Sequence, residues 1–150
     1  MLKSLIGLCC LLVTIFTFSC RHPQHKGSEK NDTTAIIVAA LNSKSFLKDH
    51  LTAKSDTLFM LKTKNYNNTW PQQSAYFRIL YIPDSPDAKS VNRPKDKLDP
   101  RARIDIAKLQ ISADTALIAV HDYGFQLDYL FNLKKDNDNW KIVKEQTLIY

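Results

Sequence analysis

Beyond residue 20 the chain contains no cysteine: Cys9, Cys10 and Cys20 are the full set, and all lie within the first 20 of 150 residues. An internal disulfide framework and a cysteine-built zinc site are therefore excluded for everything that follows. Stability has to come from a packed core. Glycine is almost as scarce, with only Gly7, Gly27 and Gly124. A Gly-rich phosphate cradle needs two or three glycines within a few residues of each other, so neither a P-loop nor a dinucleotide fingerprint fits. A G-x-S-x-G elbow and a Cys/His nucleophile pair are also missing, and no cofactor-binding motif is present. The longest apolar run, Leu5 to Phe18, has 14 residues. As a helix it reaches roughly 21 Å at about 1.5 Å per residue, too short to cross a hydrocarbon core of about 30 Å comfortably.

Charge is present and unbalanced. There are 21 Lys and Arg against 15 Asp and Glu, a formal excess of +6. This permits attraction to anionic surfaces such as phospholipid heads, polysaccharide phosphates or nucleic acid. The basic residues are not interleaved with aromatics as stacking platforms require, which argues against nucleic acid. Apolar residues make up about two-fifths of the chain beyond residue 20, enough for one compact domain.

Lys3, the apolar stretch Leu5 to Phe18, the small Ser19 and then Cys20 follow the order of a bacterial lipoprotein signal, which the segment resembles over its first 20 residues. The resemblance implies a signal peptide over residues 1–19 and a lipidated, palmitate-bearing Cys20 as the first mature residue. The implied location is the bacterial cell envelope, with the lipid as the membrane partner, where nucleic acid is rarely met. An ordinary secretory signal cut near Ser19 and a retained anchor are the other readings of the same segment. Arg21-His22-Pro23-Gln24 carries no acidic residue of the kind that sends some lipoproteins to the cell surface, so an outer-membrane anchor facing the periplasm is expected.

Residues 20–32 are polar, contain Pro23 and Gly27, and read as the lipidated cysteine and a flexible tether of roughly 19 Å reach. Residues 33–150 read as a single domain. Ile36, Ile37, Ala40, Leu41, Leu47 and Leu51 recur at helical spacing, with Asp32 or Thr33 as the N-cap, and Asn42-Ser43 divides this stretch into two short helices. Period-two runs then predict strands over Thr57 to Lys62 and Tyr76 to Ile82. Pro83, Pro86, Pro94 and Pro100 mark a long basic loop over residues 83–100. Four strands of a meander follow. Arg103 to Ile111 changes phase at Ala107-Lys108, as a β-bulge would require. Thr115 to His121 is the next strand, Phe125 to Leu133 alternates strictly, and Trp140 to Ile149 closes the domain.

These elements predict an α+β fold in which an N-terminal helix, or two short ones, packs on a curved antiparallel sheet of about five to six strands. The closing Asn139-Trp140-Lys141-Ile142-Val143 segment and the element order resemble the cystatin-like and nuclear-transport-factor-2-like folds, and the lack of further N-terminal helices favours the cystatin-like shape. Such folds include binding modules and enzymes, so the resemblance assigns neither role.

Candidate chemistry is sparse. His121-Asp122-Tyr123 is the only local cluster with both a base and a carboxylate, but neighbours in a strand face opposite ways, so His121 and Asp122 do not pair with each other. Asp105, Asp114, Asp122 and Asp128 are spread so that a sheet brings some of them to one face. Asp136-Asn137-Asp138-Asn139 has calcium-ligand types but not the glycine or distal glutamate of an EF-hand, and reads as a hairpin turn. No metal site is expected. Between residues 89 and 103, Lys89, Arg93, Lys95, Lys97, Arg101 and Arg103 face only Asp96 and Asp99. Of these, Arg93, Lys95, Lys97, Arg101 and Arg103 are the candidate contacts for a protein partner or an anionic glycan, with plain solvation as the alternative. The sequence favours a non-enzymatic binding domain. A small enzyme with a His/Asp general base in a sheet cavity is the alternative.

Overall fold

The computed structural model describes residues 28–51, 56–89 and 103–149. Helix α1, Ser28–Leu41, turns its apolar stripe of Ile36, Ile37, Ala40 and Leu41 into the core. It starts before Thr33, and Asp32 lies inside it rather than capping it. The Asp32 carboxylate instead accepts hydrogen bonds from Lys135 Nζ (2.9 Å) and Trp140 Nε1 (3.0 Å), which clamp the helix onto the far end of the sheet. That contact holds the Lys135 ammonium above the ordinary lysine range.

The predicted break at Asn42-Ser43 is present. Ser43 adopts an extended backbone and its hydroxyl accepts from Phe46 N (3.2 Å), capping helix α2, Lys44–His50. Asn42 accepts from Ala75 N with its side-chain oxygen (3.2 Å), so the residue that stops one helix also ties down a distant loop. Phe46 and His50 are the buried residues of α2. Leu51, placed on the apolar stripe by spacing, is 51 % exposed because the helix has ended there.

The sheet has six strands: β1 Thr57–Lys62, β2 Arg78–Pro83, β3 Arg103–Ser112, β4 Thr115–Asp122, β5 Leu127–Asp136 and β6 Asn139–Ile149. Their order is β2-β1-β3-β4-β5-β6. The strand number matches expectation, but the sheet is mixed and not purely antiparallel, because β1 runs parallel to both β2 and β3. Parallel neighbours need a long connection, and residues 63–77 supply one between β1 and β2. The composition of β1 agrees with this placement. Leu58, Met60 and Leu61 are all buried, so both faces are covered, as is usual for parallel strands.

Strand β3 slips register between Ile106 and Lys108, where the phase change predicted a bulge. Asn65 stabilises it, donating from Nδ2 to the carbonyls of Ile106 (3.0 Å) and Ala107 (3.1 Å). Strand β5 begins at Leu127, and the predicted member Phe125 lies in a turn, 44 % exposed. The cause is local: one oxygen of Asp122 accepts from Gly124 N and Phe125 N, which curls the chain before it can extend. Asn137 and Asp138 take positive φ of 47° and 65° and close a tight hairpin into β6.

One core joins the helices to one face of the sheet, with Phe46, Ile118, Val120, Tyr129, Phe131 and Trp140 among its members. Of the long loop, Pro86–Lys89 forms a single helical turn, α3, held by a Lys89–Asp84 ion pair of 2.6 Å. Residues 90–102 lie outside the described residues. Among the described residues no helix is long and apolar enough to cross a membrane.

Candidate functional site

Antiparallel register decides which side chains share a face, because residues directly opposite one another project the same way. Asp105 on β3 lies opposite His121 on β4, and His121 lies opposite Asp128 on β5. The three form a row across the sheet on the face turned away from α1 and α2. His121 Nδ1 and Asp128 Oδ1 are hydrogen-bonded at 2.5 Å, with the two side chains 26 % and 18 % exposed. Tyr123, two residues after His121, donates its hydroxyl to Asp105 Oδ2 (2.8 Å), and its ring stands edge-on to the imidazole at 4.4 Å.

The two carboxylates of this row differ. Asp105 is 7 % exposed and its second oxygen, Oδ1, has no hydrogen-bond partner among the described residues. Burial raises its carboxyl above the ordinary range, against the lowering effects of Tyr123, His121 and Lys89. Burial and the Asp105 hydrogen bond likewise push the Tyr123 phenol upward. A buried acceptor without a donor is costly and uncommon. It is the one described side chain that combines a charge-bearing group, burial and an unmet valence.

A second His-Asp pair lies on the opposite face. His50 Nε2 meets Asp122 Oδ2 at 2.7 Å, and its Nδ1 lies 2.9 Å from the carbonyl of Phe46. A carbonyl only accepts, so Nδ1 carries a proton and donates. The imidazole is stacked on Phe46 at 3.9 Å, and both members of the pair are buried. This pair is part of the core. The expectation that His121 and Asp122 do not pair is therefore met in a specific way: each adjacent residue takes a partner on its own face. Of the four spread aspartates, Asp105 and Asp128 share a face, Asp122 occupies the other, and Asp114 sits in the β3–β4 turn.

A cleft of about 610 Å³ flanks β2, lined by Asp56, Gln72, Tyr76, Arg78, Leu80 and Tyr81 among others. None of Asp105, His121, Tyr123 and Asp128 lines it. Among the candidates from sequence, Arg103 opens β3 opposite Phe59. Cys20, Arg93, Lys95, Lys97 and Arg101 lie outside the described residues. Sequence reasoning missed the His50–Asp122 pair. The four-residue spacing of Phe46 and His50 on one helix face was the available signal.

No protein-family model matches this sequence, and no curated protein matches it. Among solved structures the chain is similar to an NTF2-like protein of unknown function from Shewanella baltica OS155, at 17 % identity, with 88 % of this chain and 100 % of that one covered and a TM-score of 0.30.

Proposed function

We propose that this chain is a lipid-anchored protein of the bacterial cell envelope, held by Cys20, whose α+β domain of cystatin-like shape binds an envelope component without transforming it. The observation that carries the binding role is the row of Asp105, His121 and Asp128 beside Tyr123, in which the His121 and Asp128 side chains, 26 % and 18 % exposed, are reached from outside the domain. Such a pair offers carboxylate oxygens to an N–H or O–H group from outside the domain, as a protein side chain or a glycan supplies. Arg103 lies at the start of the same strand, and Arg93, Lys95, Lys97 and Arg101 precede it in sequence, so the anionic parts of such a partner have cations close by along the chain.

The test is retention of a detergent-solubilised envelope fraction by the immobilised mature protein, compared with Asp128→Asn. A lost charge-assisted hydrogen bond is worth about 1.5–3 kcal/mol, so retention should fall by roughly tenfold or more. Equal retention by both proteins would refute the assignment. A second reading, a small enzyme, is favoured by the His121–Asp128 hydrogen bond alone, since a carboxylate on Nδ1 orients an imidazole as a base. Under that reading His121→Ala abolishes conversion of a retained molecule while leaving its binding intact.

A further inference from the structure

Beyond the His121 row the face turned away from α1 and α2 continues as three more rows, and strand register fixes their members. Ser112, Thr115, Lys134 and Lys141 lie opposite one another in the first, Gln110, Leu117, Asn132 and Lys144 in the second, and Lys108, Ala119, Leu130 and Gln146 in the third. The register shift between β5 and β6 leaves Val143 as the extra residue and so brings Lys141 and Lys144 to the same face. Four of these side chains are lysines, and none is a carboxylate.

Lys134 stands directly opposite Lys141, a like-charge pair that strand pairing disfavours. Asp136, at the hairpin end, takes up Lys141 at 2.5 Å, and Asp114 lies in the turn beyond the first row. Among the described residues Lys108, Lys134 and Lys144 have no ion-pair partner. Between these lysines the surface dips. A depression of about 220 Å³ is lined by Gln110, Ser112, Thr115, Leu117 and Asn132. Its amides and hydroxyls both donate and accept, which suits a ligand rich in hydroxyl groups.

Lys108 on β3 and Lys144 on β6 are three strand spacings apart, roughly 14 Å at about 4.8 Å each. Anions repeated along a chain match that separation where a single small ion does not. The three rows hold no aromatic side chain, so there is nothing for a base to stack on and nothing to enter a bilayer. Protein interface cores, for their part, are rich in aromatics and poor in lysine. The geometry points to an acidic polysaccharide as the occupant, with sugar hydroxyls in the dip and carboxylates or phosphates on Lys108, Lys134 and Lys144. Neither the lipid nor the His121 row is needed for this binding, so Asp128→Asn tests that row and lysine variants test this field.

The experiment is a titration of the isotope-labelled full chain, in detergent at low salt, followed by backbone amide shifts. Two short acidic probes separate the anions, an oligogalacturonate carrying carboxylates and a phosphomannan fragment carrying phosphates, with dextran as the neutral control. At least one acidic probe should shift the amides of Leu117 and Asn132, and dextran should shift neither. Lys134→Gln combined with Lys144→Gln should weaken that binding by roughly tenfold or more, since each removes a charge-assisted contact. Lys44→Gln combined with Lys48→Gln removes the same charge from exposed positions on α2, on the other side of the sheet, and should leave it unchanged. Binding of neither acidic probe, equal binding of dextran, or equal weakening by the two double variants would overturn the assignment.

Discussion

Asp105 and Asp122 are both buried aspartates at the ends of neighbouring strands, yet they are satisfied to different degrees. Asp122 accepts from His50, Gly124 N and Phe125 N, whereas Asp105 accepts from Tyr123 and its other oxygen has no partner among the described residues. Removing Asp122 orphans a buried imidazole and two turn amides, so Asp122→Ala should cost about 3–5 kcal/mol, measured by urea denaturation. Asp128→Ala, at a partly exposed pair on the open face, should cost about 1 kcal/mol. Asp105 behaves in the opposite sense. Burial raises its carboxyl in the folded chain, so the unfolded chain gives up its proton first as pH rises. Stability then falls from the ordinary carboxylate range upward until the folded-state group has also ionised, and the penalty persists at neutral pH. Asp105→Asn should remove that slope and gain about 1 kcal/mol at pH 7. Denaturation midpoints that fall equally with pH in both proteins would contradict it.

At the scale of elements, single polar side chains decide where helices and strands begin and end. Ser43 caps α2, and Ser43→Ala should lower stability by about 1 kcal/mol, visible as a lower thermal midpoint with unchanged circular-dichroism shape. Asp32 docks α1 through Lys135 and Trp140, contacts about a hundred residues away in sequence. Strand identity and most boundaries were legible because alternation in β4 and β5 is strict, and because a phase change in apolar residues has one cheap structural solution, a bulge with its extra residue. Pairing direction was not. A short apolar run such as Thr57–Lys62 reads the same whether its neighbours are parallel or antiparallel, and only the path of residues 63–77 and burial on both faces resolve it. Phe125 fits the alternation of β5, yet Asp122 draws its amide into a turn, a competition between a local hydrogen bond and a strand that periodicity does not register.

At the scale of the whole molecule, the proposed architecture is a leader, a lipid at Cys20, a tether and a domain with the His121 row on one face. Intact mass of the native chain should show the leader absent and acyl chains on Cys20. Cys20→Ser should move the protein from the membrane pellet to the soluble fraction, and an unmodified Cys20 in the membrane-bound protein would remove the envelope reading. The amino-acid sequence alone determined the α+β class, the helix break at Asn42-Ser43, the bulge in β3 and the absence of internal disulfides, since each depends on local pattern or on composition. Tertiary structure alone decided which aspartate meets which histidine. The residues of the His121 row are separated by 16 and 7 positions, and those of the His50–Asp122 pair by 72, and register across strands is what converts those separations into contact. The edge position of β6 is likewise a property of strand order: nothing in its composition distinguishes an edge from an interior strand until its neighbours are placed.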